Sequence, residues 1–165
     1  MLEMILYGLI AHGVQHSRLT QHHNVDQARV AIKRLYNDAN AAAARGDTVG
    51  VFKNCDLDFC GITGKGVRVS LSQMKIHTQN LFAASTFVKA SSTILSFTLT
   101  GDIAEVVVEE DATIIMHQPG IRETVVLESK ETDRDTWVKK KGAWKEQEAK
   151  IETISQQING KPVPK

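Results

Sequence analysis

From Thr86 onward, apolar side chains recur at every second position, and this alternation continues for most of the remaining chain. Leu95, Phe97 and Leu99 share one face of a predicted strand. Even-numbered residues from Ala104 to Met116 share one face of the next strand. Because turn residues separate these segments, the second half of the chain predicts a run of long, hairpin-linked antiparallel strands.

The first half of the chain has helical periodicity instead. Residues 26–45 carry apolar side chains at helical spacing, with Asp26 predicted as the N-cap and Gly46 as the terminating residue. Asp47 is predicted to cap a short second helix. Helices followed by a run of strands are typical of the α+β class.

Two further elements lie between the first helix and the long strands. Alternation around Leu57 and Phe59 predicts a short, half-buried strand. Residues 70–84 predict a third helix, whose apolar stripe is expected to contain Leu71, Met74, His77 and Leu81.

The length of 165 residues fits one domain, which we expect to span residues 25–158. Residues 159–165 are expected to form a flexible tail. Residues 1–24 are interpreted as an extension, either a short docking helix or a partly ordered tail. The apolar part of this extension is too short to span a bilayer and lacks the basic region of a signal peptide, so no membrane association is expected.

The charge and the cysteine content of the chain limit which partners and which cellular location we expect. Twenty basic and nineteen acidic residues give a net charge of +1, which argues against a nucleic-acid binder. Cys55 and Cys60 are predicted to lie on opposite faces of a strand as free thiols, which favours a reducing, cytoplasmic location. The glycines of residues 61–66 do not have phosphate-loop spacing, so we expect a turn there and no cofactor.

Four segments together resemble the nuclear-transport-factor-2-like superfamily, particularly small bacterial members related to polyketide cyclases and ketosteroid isomerase. They are Tyr36–Asp47, Val51–Phe52, Leu57–Phe59 and Asp135–Trp144. The resemblance implies a cone-shaped, bent antiparallel sheet packed against N-terminal helices (cystatin-like). It also implies a pocket between sheet and helices, and a homodimer formed through the outer sheet face.

The resemblance also gives a way to judge isomerase chemistry. Ketosteroid isomerases place a proton-abstracting carboxylate just after the first short strand, with oxyanion donors from a helix tyrosine and a sheet acid. Here residues 60–63 contain no carboxylate, and Tyr36 lies about one helical turn earlier than the tyrosine of that family. Both departures count against that isomerase chemistry and leave it open whether the chain is an enzyme.

Glu110 and His77 are the candidate catalytic residues. Glu110 falls on the otherwise apolar, even-numbered face, where burial would raise its pKa and suit it to acid–base work. The alternative is a β-bulge at residues 109–111 that turns the acids to solvent. His77 lies on the predicted helix stripe and is either a proton shuttle or a core or rim histidine.

The remaining candidates concern the pocket wall and metal binding. The predicted lining residues are Tyr36, Phe52, Phe59, Leu95, Phe97, Met116, Arg134 and Trp144. Which face of the strand around Arg134 lines the pocket is left open. His12 and His16 have a helical metal-ligand spacing, but no carboxylate or cysteine lies near them, so no metal site is predicted.

Two functions fit these patterns. The first is a small-molecule-binding domain with a cavity between sheet and helices, carrying weak isomerase- or cyclase-like acid–base chemistry on a small organic ligand. The second is a non-catalytic, dimeric protein-interaction module that uses the outer sheet face. An apolar cavity favours the first function, and a filled core favours the second.

Overall fold

The computed structural model describes residues 3–117 and 124–163, with the side chains of residues 23–116 and 124–163. Three helices and seven strands follow one another in these ranges. They are α1 (Glu3–Ala44), α2 (Thr48–Val51), β1 (Cys55–Ile62), β2 (Arg68–Ser70), α3 (Leu71–Ala84), β3 (Ser85–Thr100), β4 (Ile103–His117), β5 (Thr124–Lys140), β6 (Ala143–Ile158) and β7 (Lys161–Pro162).

Helix α1 is much longer than the sequence pattern predicted. It runs without interruption from Glu3 to Ala44, so Asp26 lies inside the helix and the prediction of an N-cap there was wrong. Residues 14–45 contain neither glycine nor proline, and an aspartate alone does not end a helix. The backbone of the predicted extension is therefore continuous with α1 from Glu3 onward.

The two short helices begin as the sequence predicted. The Asp47 carboxylate accepts a hydrogen bond of 2.8 Å from the Gly50 amide at the start of α2. Ser70 and Gln73 form a reciprocal capping box at the start of α3. Both caps satisfy amide groups that the first turn of a helix leaves without partners, and so they fix where each helix begins.

The long strands form one mixed, curved sheet with the order β2-β1-β6-β5-β4-β3, and β7 pairs with β6. All pairs are antiparallel except β1 with β6, which is parallel. The predicted α+β class is confirmed. Register shifts between Ile94 and Ser96 and along the β5–β6 pair interrupt the ladders, and such bulges bend a sheet.

Residues 159–163 contain more regular structure than predicted. Asn159 and Gly160 both have positive φ angles, 50° and 74°, as a tight hairpin turn requires. The turn allows Lys161 and Pro162 to pair with Ile158 and Gln157. The predicted flexible tail therefore includes a short strand, since an Asn-Gly pair is a turn signal rather than a sign of disorder.

Helix α1 packs along the concave face of the sheet and divides the interior into two parts. Towards its N-terminal half, the space is filled by a hydrophobic core that contains Ala28, Ile32, Tyr36, Ala104, Val106, Val108, Trp137 and Trp144. Ile32, Val106 and Val108 are completely buried there. Beyond Tyr36, towards the C-terminal end of α1, Ala39, Asn40 and Ala43 line the cavity described below. Within the described ranges, no helix has the length and apolar character required to cross a membrane.

Candidate functional site

The concave face of β4, β5 and β6 carries a cluster of carboxylic acids. Because side chains alternate along a strand, Glu131, Asp133 and Asp135 share a face with the buried Trp137. The register places Glu131 opposite Glu110, Asp133 opposite Val108 and Asp135 opposite Val106. Glu146 joins the same face from β6, where it is the partner of Trp137.

These acids line a cavity of about 440 Å³, a size usual for small-ligand pockets. Five lining residues are acidic: Glu110, Glu131, Asp133, Asp135 and Glu146. The opposite walls come from α1, α2, β1, β2 and α3 and are mostly apolar, with Ala39, Ala43, Val51, Phe52, Phe59, Ile62, Val69 and Met74. The acids therefore lie on the sheet and face a largely apolar helical wall.

Tyr36 connects the filled core to the cavity. Its hydroxyl donates a hydrogen bond of 2.5 Å to Oδ2 of Asp135 and accepts one of 3.0 Å from Nε1 of Trp137. The Tyr36 and Trp137 rings pack edge to face, with centroids 5.4 Å apart. Burial and the negative charge of Asp135 raise the pKa of Tyr36, so its hydroxyl stays protonated and acts as a donor.

Glu110 points into the cavity. It is paired in register with both neighbouring strands, so the alternative of a bulge at residues 109–111 is not found. Ser92 donates a hydrogen bond of 3.0 Å to Oε1 of Glu110, and Asn40 donates one of 2.9 Å to the Ser92 hydroxyl. Burial, reinforced by the charge of Glu131, raises the pKa of Glu110.

Asp133 and Glu146 are poised to exchange protons near neutral pH. Burial, together with the charges of Glu110 and Asp135, raises the pKa of Asp133 to about 8. Burial and the charge of Glu110 raise the pKa of Glu146 to about 8, although Glu146 accepts a hydrogen bond of 3.5 Å from the Cys55 thiol. Burial also raises the pKa of Cys55 and disfavours its thiolate.

Two carboxylate oxygens in the cavity lack hydrogen-bond partners among the described residues. They are Oδ1 of Asp133 and Oδ1 of Asp135. Asp133 is 8% exposed and Asp135 is 2% exposed, so both are removed from bulk water. Burial and the charge of Glu146 raise the pKa of Asp135 well above its usual range. A buried polar atom without a partner is costly and is characteristic of functional sites.

Comparison with solved structures decides the fold. A provisionally named scytalone dehydratase from Novosphingobium aromaticivorans superposes with a TM-score of 0.64 at 15% identity, covering 83% of this chain and 90% of that chain. An NTF-2-like protein of unknown function from Shewanella oneidensis gives a TM-score of 0.59 at 14% identity, covering 75% and 98%. A type 2 hexachlorocyclohexane dehydrochlorinase gives a TM-score of 0.60 at 12% identity, covering 84% and 94%.

The chain has the nuclear-transport-factor-2-like fold. At these identities the similarity concerns the fold and does not transfer an activity. No protein-family model matches the sequence, and no curated protein matches it either.

Within this nuclear-transport-factor-2-like fold, the predicted lining residues fall into three groups. Tyr36, Phe52 and Phe59 line the acidic cavity. Phe97 and Trp144 instead pack in or against the filled hydrophobic core. Leu95 and Arg134 lie away from the cavity, and Met116 is half-buried near the end of β4, outside the cavity wall.

The positions of Leu95 and Arg134 correct the sequence-based predictions. Leu95 lies at the register shift of β3 and is 53% exposed, so Ile94 takes its place against the core. Arg134 is on the outer face of β5, where its Nε donates a hydrogen bond of 2.7 Å to Glu152. The inward face of β5 is therefore the acidic one.

His77 does not reach the cavity. Its side chain is exposed on α3, while the neighbouring Thr78 is half-buried. On α3 the side chains of Met74 and, four residues later, Thr78 face inward. His77, only three residues after Met74, therefore faces solvent. This placement does not support the sequence-based choice of His77 as a proton shuttle.

The acids of β5 and β6 were not predicted from the sequence. Glu131, Asp133 and Asp135 lie in a polar segment without hydrophobic contrast between its two faces. One signal was present: Trp137 shares their odd-numbered face, and a tryptophan at a strand end usually faces the interior. Glu146 lies at the same spacing from Trp144 and repeats the signal on β6.

The remaining features of this region do not suggest a metal centre. Among the side chains that the structure describes, no group of three or more His, Cys, Asp and Glu is arranged to hold a metal ion. His12 and His16 lie outside the described side chains.

A wider groove of about 730 Å³ passes between α1 and β6 near Asp26 and Trp144, but it lies over the filled core and away from the acids of the cavity.

We expect Glu110→Gln to stabilise the protein at pH 8 by on the order of 1 kcal/mol, with little effect at pH 4. A carboxyl with a raised folded pKa binds protons more tightly when folded, so its cost to stability appears as pH rises above its unfolded pKa. Urea unfolding of both proteins at both pH values measures the difference.

The matched control is Asp102→Asn in the exposed turn between β3 and β4, which also removes one carboxylate charge and should leave stability unchanged. Equal effects of the two substitutions at pH 8 would show that Glu110 is not buried.

Proposed function

We propose that this protein binds a small organic molecule in the acidic cavity and transfers protons to or from it. The observation that carries the proposal is a cavity that combines an apolar wall with two carboxyls, Asp133 and Glu146, whose pKa values are raised to about 8. General acids and bases work best when their pKa lies near the operating pH.

The cavity contains groups suited to different parts of proton-transfer chemistry. Asp133 has an unpartnered oxygen and exchanges protons in the neutral range, so it is our candidate general base. Glu110, held by Ser92, is the candidate general acid or hydrogen-bond donor because burial favours its protonated form. Tyr36 is committed to Asp135 and acts by positioning that carboxyl.

The fold is compatible with this chemistry. Among the structural neighbours are proteins described as a scytalone dehydratase and a hexachlorocyclohexane dehydrochlorinase, whose names denote elimination reactions. An elimination requires a base that removes a proton from carbon beside the leaving group. We propose weak acid–base chemistry of this general kind, with Asp133 and Glu110 in place of the carboxylate that ketosteroid isomerases carry after the first strand.

We further propose that the protein forms a homodimer through the outer face of the sheet. Phe87 and Val126 flank Ile115 on that face as cross-strand partners, and Phe87 is 48% exposed. Half-exposed apolar groups that touch one another are typical of interface centres. The outer face is distinct from the cavity face, so association leaves the acids accessible from the helical side.

The binding proposal is tested by a fragment screen with ligand-observed NMR. Fragments that bind the unmodified protein should lose binding in Ala149→Phe, which places a large ring on the cavity wall. They should keep binding in Ala41→Phe, where the same ring is added on the exposed side of α1. Fragments that bind all three proteins equally, or a screen without any binder, would contradict the proposal.

The dimer proposal is tested by light scattering at micromolar concentration, which should give twice the chain mass of 18.2 kDa. Ile115→Asp should shift the protein towards the monomer because it places a charge among apolar partners. Ile76→Asp, on the exposed side of α3, is the control and should leave the mass unchanged. A monomeric unmodified protein would overturn this proposal.

A further inference from the structure

Acidic side chains line the cavity, and no basic side chain among the described lining residues balances them. Five of its lining residues are acidic, and none of the lining residues in the described part of the chain is basic. The basic residues adjacent to the β5 acids in sequence are engaged on the outer face: Arg134 pairs with Glu152, and Lys130 pairs with Glu109. Buried carboxyls that lie close together repel one another when they ionise, so this lining favours a positively charged group.

Asp133 and Asp135 mark where that positive charge would lie. Each has an oxygen without a hydrogen-bond donor, and each is more than nine-tenths buried. They are two residues apart on one strand face, which separates their Cα atoms by about 7 Å. An ammonium group presents three donors that can reach both carboxylates at once.

The wall opposite the acids indicates what kind of molecular skeleton the positively charged ligand would have. Phe52, Phe59 and Met74 line the helical side, together with small alanines from α1. Gly61 allows this wall to close in, because a Cβ at that position would lie 2.6 Å from Sδ of Met74. Apolar and aromatic surface of this kind suits a hydrocarbon or aromatic skeleton and also stabilises a cation near a ring face.

We propose that the ligand of this cavity is a small organic cation, whose ammonium group is held by Asp133 and Asp135 and whose apolar skeleton packs against Phe52, Phe59 and Met74. The inference rests on the proposed function, since it names the ligand class of the same cavity. When Asp133 holds the ammonium group, Glu146 takes over the role of general base and Glu110 remains the candidate acid.

Binding of a cation in this cavity releases protons. Asp133 and Glu146 hold protons up to about pH 8, and a positively charged ligand favours their ionised forms. Affinity for an amine should therefore rise between pH 6 and pH 8, as long as the amine itself stays protonated. A neutral ligand of the same shape should not show this dependence.

The test compares naphthylmethylamine, naphthylmethanol and naphthoate, which share a skeleton and differ in charge. We expect the amine to bind at least about tenfold more tightly than the alcohol at pH 7.5, and the carboxylate not to bind. Calorimetry in buffers with different ionisation enthalpies should show proton release for the amine. This readout uses the unmodified protein and does not depend on whether a variant folds.

The substitution Asp133→Asn provides the second part of the test. It should reduce affinity for the amine at least about tenfold and leave affinity for the alcohol unchanged. Asp102→Asn, the same substitution in the exposed turn between β3 and β4, should affect neither.

The outcomes separate the two proposals. An alcohol that binds as tightly as the amine, with Asp133→Asn without effect, would overturn the preference for cations and leave the small-molecule site standing. If calorimetry detects binding of none of the three compounds, the cation inference falls, and the fragment screen with Ala149→Phe separately decides the proposed function.

Discussion

The hydrogen bond from Tyr36 to Asp135 joins the helical layer to the sheet at the point where the interior changes character. On one side of it, Ile32 packs against Val106 and Val108 in a filled core. On the other side, α1 and the sheet enclose the acidic cavity. Because Trp137 donates to the same hydroxyl, one tyrosine fixes the position of a carboxyl that would otherwise be an unsupported buried acid.

The cavity is a compromise between stability and function. Burying Glu110, Asp133, Asp135 and Glu146 together raises their pKa values, and this makes the folded state less stable as pH increases. An apolar lining would avoid this cost. We therefore attribute the acids to what the cavity binds and not to folding.

Much of the fold could be predicted from the sequence because its signals are local. Strand alternation and the capping residue Asp47 act over a few positions, and the structure contains the elements that they indicate. Leu95 was misplaced because a bulge shifts the phase of a strand without any distinctive residue. The acids of β5 were missed because polar residues on both faces hide which face is inward, and only the pairing with β4 and the position of Trp137 resolve it.

The central claim is that the buried acids of this cavity hold their protons into the neutral range. Carboxyl carbon NMR over a pH titration, with resonances assigned through Asp133→Asn, measures this directly. We predict that Asp133 and Glu146 titrate near pH 8, well above ordinary carboxyls. Titration of both groups below about pH 5, in the range of solvated carboxyls, would contradict the account.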